Sequence, residues 1–152
     1  MSKETENKVE TFWQEYEEKI GATVLARSLG QYLSGWEEFD NKGLTNIWGL
    51  IIATSEGFRF HHFAHRNWLE ALTNREGSKE KIIDIQREKI ISAQFIYESR
   101  WWMKLLRNTL PKLELVYKDN EGMERTMVLE ANIMAGKNNN SELLADKLNS
   151  LL

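Results

Sequence analysis

Two apolar runs separated by a turn signal lie between residues 46 and 63, and they constrain the fold more than any other part of the chain. The runs Ile47–Ala53 and Phe58–Phe63 are rich in residues that favour strands, and Gly57 lies where a tight turn requires a positive φ. The first run has almost no polar side chain on either face, which is typical of a strand covered on both sides. The pattern therefore predicts a β-hairpin at the centre of the fold.

The return strand of this hairpin alternates polar with aromatic side chains. One face would carry Phe58, Phe60 and His62, and the other would carry Arg59, His61 and Phe63. This alternation predicts a strand that is half solvated.

The composition is that of one globular domain. A chain of 152 residues can bury a core without covalent links, and no apolar run approaches the roughly 18 residues of a membrane helix. The absence of cysteine excludes a disulfide framework and a thiolate zinc site. A net charge of -3 argues against a nucleic-acid binder that depends on overall positive charge. The N-terminus shows no secretory signal, so we expect a cytoplasmic location.

The first 21 residues predict an amphipathic helix at about residues 4–20, ended by Gly21. Its apolar side chains recur at helical spacing: Val9, Phe12, Trp13, Tyr16 and Ile20. A stripe with three aromatic residues must be buried against something. Packing on the body of the domain is the favoured interpretation, and a dimer or partner interface is the alternative.

The segments after this helix predict further antiparallel strands. Thr23–Arg27 and Gln31–Phe39 each fit a strand, with Gly30 and Gly35 as positions for a bend or bulge. Lys81–Tyr97 fits two strands separated by a charged break at residues 86–89.

A second hairpin and a final helix complete the chain. The hairpin joins Leu113–Lys118 to Met123–Ala131 through an Asp-Asn-Glu-Gly turn. The helix is predicted at residues 140–152, with Asn140 or Ser141 as its N-cap. Its apolar face consists of leucines, namely Leu143, Leu144, Leu148, Leu151 and Leu152.

Six or seven short antiparallel strands followed by one amphipathic helix resemble the bacterial pleckstrin-homology-like (PH-like) and GRAM-like domains. The likeness is carried by Gly49–Thr54 with its return strand Gly57–Phe60, by Ile85–Ile90 and by Lys112–Glu130. The resemblance implies an α+β fold in a single domain spanning residues 1–152. That domain would comprise a helical extension (1–21), a small antiparallel β-barrel (22–131) and a C-terminal capping helix (140–152).

The resemblance also implies a fold used for binding proteins or membrane surfaces, and it says little about catalysis. In eukaryotic relatives, Lys and Arg between the first two strands hold phosphoinositide headgroups. The corresponding region here, about Leu29–Lys42, offers Lys42 as its one such residue and contains Glu37, Glu38 and Asp40. This departure argues against a headgroup site, and no cofactor or small-molecule substrate is implied.

All three histidines of the chain lie close together, at His61, His62 and His65. On an extended strand His61 and His65 would share a face about 13 Å apart, too far to bind one metal. A turn at His62 would bring His62 and His65 closer. We expect polar histidines at a strand end that titrate near neutral pH, and a metal or enzymatic site is the less favoured alternative.

The segment from residue 100 to residue 107 combines basic and aromatic side chains. As a helix, it would carry Arg100, Lys104 and Arg107 on one face and Trp101 and Trp102 on the other. Such a segment can bind a partner protein or lie in an anionic membrane interface. The alternative is that the tryptophans fill the core while the basic groups extend to water.

These observations lead to one functional hypothesis and two alternatives. The leading hypothesis is a non-catalytic binding or assembly module that recognises a protein partner or a second copy of itself, with residues 100–107 as the candidate site. The first alternative is a peripheral binder of anionic membranes that uses the same basic segment. The second is a small enzyme or metal site around the histidines.

Overall fold

The computed structural model of the chain describes residues 2–63, 80–96, 111–131 and 143–152. These ranges contain three α-helices, α1 (Lys3–Ile20), α2 (Glu37–Asn41) and α3 (Leu144–Ser150). They also contain seven strands, β1 (Val24–Ser34), β2 (Ile47–Thr54), β3 (Gly57–His62), β4 (Lys81–Gln86), β5 (Ile90–Ile96), β6 (Lys112–Lys118) and β7 (Glu124–Ala131). The predicted α+β class is confirmed.

The seven strands form one antiparallel sheet in the order β4-β3-β2-β1-β7-β6-β5. Strands β4 and β5 are its edges, and a short 3₁₀ turn, Arg87–Lys89, joins them. In the part of the chain that the structure describes, these two edges do not pair, so the sheet is not closed into the predicted barrel. One edge is occupied in another way, because the Asn149 amide bonds both backbone groups of Ala93 in β5.

The central hairpin is confirmed as β2 and β3, with Ala53 opposite Phe58 and Leu50 opposite His61. Every residue of β2 from Gly49 to Thr54 is buried, as expected for a strand covered on both faces. The prediction of a half-solvated β3 is wrong, because His61 is 2% exposed. Its face of the sheet is covered by α1.

The position predicted for α1 and its predicted packing on the body of the domain are both confirmed. The Ser2 hydroxyl caps its first turn, and Gly21 ends it in the left-handed region at φ 68°. Its buried side chains pack against Leu50, Ile52 and Phe63 on the outer face of the hairpin, and they are Val9, Phe12, Trp13 and Tyr16. This layer is a second hydrophobic cluster, separate from the main core.

The segment after α1 departs from the prediction of two strands and of a bend at Gly30, whereas Gly35, predicted as a bend position, follows β1 at φ 104°. The segment forms one strand, β1, followed by α2. Gly30 does not bend the strand, because it lies between its register partners Gly49 and Ala131. A Cβ atom at Gly30 would lie 2.1 Å from the Glu130 carbonyl oxygen, so the glycine permits a close approach of two strands.

The main core lies on the inner face of the sheet, opposite α1. Leu144 and Leu148 of α3 are fully buried there, and so are residues of every described strand except β5, whose Ala93 is 3% exposed. The hairpin β6–β7 and its turn at residues 119–122 are confirmed. The apolar face predicted for the last helix is confirmed in part, because Leu143 and Leu152 are exposed. The proposed caps Asn140 and Ser141 lie outside the described residues.

None of the helices in the described ranges is long and apolar enough to cross a membrane.

The contact between Asn149 and the edge of β5 leads to a first prediction. Asn149 donates to the Ala93 carbonyl at 2.7 Å and accepts from the Ala93 N–H at 3.0 Å. Asn149→Ala leaves both groups of a buried residue without these bonds, and we expect the free energy of unfolding in urea to fall by about 1–2 kcal/mol. Ser150→Ala in the same turn is the matched control, since it brings a similar gain in helix propensity. An equal effect of the two substitutions would contradict the proposed role of Asn149.

Candidate functional site

The described ranges contain part of the sequence-predicted site residues. His61 and His62 are described, whereas His65 and the candidate binding residues Arg100, Trp101, Trp102, Lys104 and Arg107 lie outside the described residues. His61 and His62 point to opposite faces of β3. His62 is half-buried, and its Nδ1 lies 2.6 Å from the Trp48 carbonyl oxygen.

His61 is the centre of a polar network between α1 and the sheet, which we call the His61 network (Tyr16, Arg59, His61, Glu80 and Asp84). The His61 Nδ1 lies 2.9 Å from the Tyr16 hydroxyl, and its Nε2 lies 3.0 Å from Glu80 Oε2. Arg59 donates from Nε to the Tyr16 hydroxyl at 2.9 Å and from Nη1 to Asp84 at 2.9 Å. Five side chains from α1, β3, β4 and the residue before β4 thus form one chain of hydrogen bonds.

The partners assign the protons on His61. Because Arg59 Nε–H donates to the Tyr16 oxygen, the Tyr16 O–H is free to donate to Nδ1 of a neutral imidazole. The Nε2–H then donates to the Glu80 carboxylate. In this tautomer, every polar group at the centre of the network has a partner.

Burial decides the charge state of His61. Its ring stacks on Phe63 with centroids 4.0 Å apart, and burial lowers its pKa to about 4, although the Glu80 carboxylate acts in the opposite direction. Burial likewise raises the pKa of Tyr16. The expectation that these histidines titrate near neutral pH is therefore wrong for His61, because α1 removes it from water.

The network resembles a proton relay in composition, but its position favours a structural role. The side chain of His61 is 3% exposed, and Tyr16 comes from the helix that covers it. No cluster of three metal-ligating side chains occurs within the described ranges. The network therefore joins α1 to the sheet. The sequence features that could have indicated it are the aromatic stripe of α1 and the strand face with Arg59, His61 and Phe63.

A broad groove lies between α2, the end of β4 and the β6–β7 turn, and we call it the acidic groove; Asp84 of the His61 network is one of its lining residues. Its volume is about 1560 Å³, and the described residues that line it include nine Asp or Glu but three Lys or Arg. The carboxylates come from separate elements, for example Glu37 and Glu38 of α2 and Glu121 and Glu124 at the β6–β7 turn. The groove is therefore a strongly negative concave surface.

An aromatic pair forms part of the lining of the acidic groove. The rings of Trp36 and Tyr117 lie 5.7 Å apart at 35°, and the Tyr117 hydroxyl donates to the Gly35 carbonyl at 2.7 Å. Burial raises the pKa of Tyr117 to about 12, so the hydroxyl stays protonated. Trp36 Nε1 is buried and has no hydrogen-bond partner among the described residues.

A network of hydrogen bonds positions α2 beside this groove. The Tyr32 hydroxyl donates to the Asp40 carboxylate and accepts from the Trp36 N–H at 2.7 Å. The same carboxylate accepts from the Gly35 N–H at 3.0 Å. Gly35 directly follows β1 and has a φ of 104°. Glu37, Glu38 and Asp40 lie in the region that argues against a headgroup site, and the sequence pattern does not indicate the groove, because Gln31–Phe39 fits a strand better than the helix α2.

A scan against protein-family models and a search of curated proteins both found no match for this chain. The fold is compatible with a PH-like domain, since it combines seven antiparallel strands with helices.

The Tyr16 hydroxyl provides a test of the His61 network. Tyr16→Phe removes the acceptor of Arg59 Nε and the donor to His61 Nδ1, and we expect the free energy of unfolding to fall by about 1–3 kcal/mol. Arg59→Met removes the same bond from the other side while retaining an aliphatic side chain. In a double-mutant cycle, we expect the two losses to overlap by about 1 kcal/mol. Strictly additive effects in urea unfolding would show that this hydrogen bond does not stabilise the fold.

Proposed function

We propose that this chain is a cytoplasmic, PH-like binding module that recognises proteins and does not catalyse a reaction. The acidic groove is the observation that carries the proposal, because it is a large concave surface with an excess of negative charge and an aromatic pair in its lining. The seven antiparallel strands and the C-terminal helix support the PH-like assignment.

The size of the groove favours a protein over a small ligand. At about 1560 Å³ it exceeds the roughly 300–1,000 Å³ of typical small-molecule pockets. Its lining is drawn from α2, β4 and the β6–β7 turn, so a partner would contact several elements at once. An extended or looped peptide segment fits such a surface.

The charge of the groove favours a basic segment. The lining has nine carboxylates against three cationic groups, and three of the carboxylates, Glu38, Asp84 and Glu88, pair with cations outside the lining. The remaining excess of negative charge would attract Lys and Arg side chains and increase the rate of encounter at low salt.

Two of the three cationic groups of the lining are also engaged, since Arg125 bonds Asp119 at 3.0 Å and Lys89 bonds Asn120 at 2.6 Å. Trp36 is half-buried, and its ring can add cation–π attraction for a guanidinium or ammonium group.

The alternatives involve other parts of the chain. The acidic groove would repel an anionic bilayer, so a membrane-binding function would depend on Arg100, Lys104 and Arg107. Self-association would depend on Trp101 and Trp102 or on a sheet edge. The experiments below distinguish these functions.

Charge reversal in the groove tests the proposal. The probes are a fluorescently labelled Lys/Arg-rich peptide, a Glu-rich peptide of the same length, and vesicles that contain phosphatidylserine. We expect the wild-type chain to bind the basic peptide in a salt-dependent manner. Glu121→Lys/Glu124→Lys should weaken this binding by about tenfold, because each reversal replaces an attraction with a repulsion.

The matched control is Glu10→Lys/Glu18→Lys, which changes the net charge equally on the exposed face of α1, away from the groove. An equal loss of binding in this control would mean that overall charge, and not the groove, attracts the peptide. Binding to vesicles without binding to either peptide would contradict protein recognition.

The aromatic segment gives a separate prediction about assembly. If Trp101 and Trp102 form a self-association surface, the solution mass of the wild-type chain by light scattering should rise with concentration. Trp101→Ala/Trp102→Ala should then restore the monomer mass by removing two large apolar contacts. Circular dichroism would check that the variant is folded. A wild-type monomer at every concentration would exclude self-assembly through this segment.

A further inference from the structure

The interface between α1 and the sheet has an apolar part and a polar part. In the apolar part, Val9, Phe12 and Trp13 pack on the apolar side chains of β2 and on Phe63. In the polar part, the Tyr16 hydroxyl meets His61 and Arg59. Apolar burial supplies attraction, whereas the hydrogen bonds of the polar part require one arrangement of protons.

We propose that His61 is an acid-sensitive latch that holds α1 on the outer face of β2 and β3, and that protonation of His61 releases this helix while the main core stays folded. The inference does not depend on the acidic groove or on its ligand.

Protonation of His61 would conflict with its partners. The Tyr16 oxygen already accepts from Arg59 Nε at 2.9 Å, and a protonated Nδ1 would bring a second donor to the same oxygen. The Tyr16 O–H would then lose its acceptor at a buried site. A buried donor without a partner is costly, so the closed position of α1 becomes less favourable.

The surrounding charges shift the pKa of His61 in both directions. From α1, Lys19 opposes a positive charge on His61, and from β3, Arg59 does the same. Glu80 favours the positive charge through its bond to Nε2, and Asp84 of β4 is engaged by Arg59. The neighbours on β2, Leu50 and Ile52, are apolar. Burial and the two cations outweigh Glu80, so the pKa of His61 falls to about 4.

The direction of the pH effect follows from this shift. With α1 open, His61 would be solvated and titrate near its ordinary pKa of 6.5, whereas with α1 closed its pKa is about 4. The open state therefore binds more protons between these values, and the closed state loses stability as the pH falls from 6.5 toward 4. At pH values well above 6.5, His61 is neutral in both states and this contribution to closure is fully present.

The helix can open without the core because the two are packed separately. The side chains of α1 belong to the outer cluster, whereas the inner cluster is built from Tyr32, Phe60, Leu129 and other residues of the sheet and α3. Residues 21–23 connect α1 to β1. Such an arrangement permits local opening at a lower free energy than global unfolding. Opening would expose Leu50, Ile52 and Phe63 as an apolar surface.

Hydrogen exchange measured by mass spectrometry between pH 8 and pH 4.5 tests the latch, after correction for intrinsic exchange rates. Relative to pH 8, we expect the protection of α1 in the wild type to fall about 30-fold at pH 5, as follows from closed and open pKa values of about 4 and 6.5. The protection of the β6–β7 hairpin should change much less. His61→Gln keeps an acceptor and a donor but cannot titrate, so the protection of α1 should become nearly independent of pH.

His62→Gln is the matched control, since it removes the neighbouring imidazole on the other face of β3 and should retain the acid response. Two results would overturn the proposal: a parallel loss of protection in α1 and in the β6–β7 hairpin, or an acid response that persists in His61→Gln. The first comparison requires the wild-type chain alone, so it decides the question even if His61→Gln does not fold.

Discussion

The burial of β2 on both faces is the constraint on which the rest of the structure depends. Ile51 and Ala53 face the main core, whereas Leu50 and Ile52 face outward into a second cluster. If the sheet were covered on its inner face alone, this outer apolar surface would remain in water, at a cost of roughly 25 cal/mol per Å² of apolar area. The helix α1 supplies the missing layer, so the domain has an apolar layer on each side of its central hairpin.

Covering the outer face also buries polar groups that β3 carries there. Arg59 and His61 alternate with the aromatic residues of the strand, and an entirely apolar stripe on α1 would leave Arg59 Nε and His61 Nδ1 without the partner that Tyr16 provides. Tyr16 resolves this conflict, since its ring belongs to the stripe while its hydroxyl bonds both residues. The same solution makes the attachment of α1 dependent on the charge of one imidazole.

The two functional proposals rest on different features of the molecule. The acidic groove offers fixed charge on separate elements to a partner from outside, and it depends on α2 being held by Tyr32 and Tyr117. His61 itself is closed to solvent, and its network acts on the position of one helix. A binding module with both features could combine recognition by charge with a conformational response to acid.

The sequence alone determined the elements whose patterns are local. The hairpins β2–β3 and β6–β7, the break between β4 and β5, and the limits of α1 followed from periodicity, turn residues and caps, which act between near neighbours. Tertiary structure decided the rest. It made one strand of β1, because Gly30 serves a close contact with distant Glu130, and it gathered carboxylates from α2, β4 and the β6–β7 turn into one groove. It also buried His61, since exposure depends on which surface a distant helix covers, and a strand's own alternation does not contain that information.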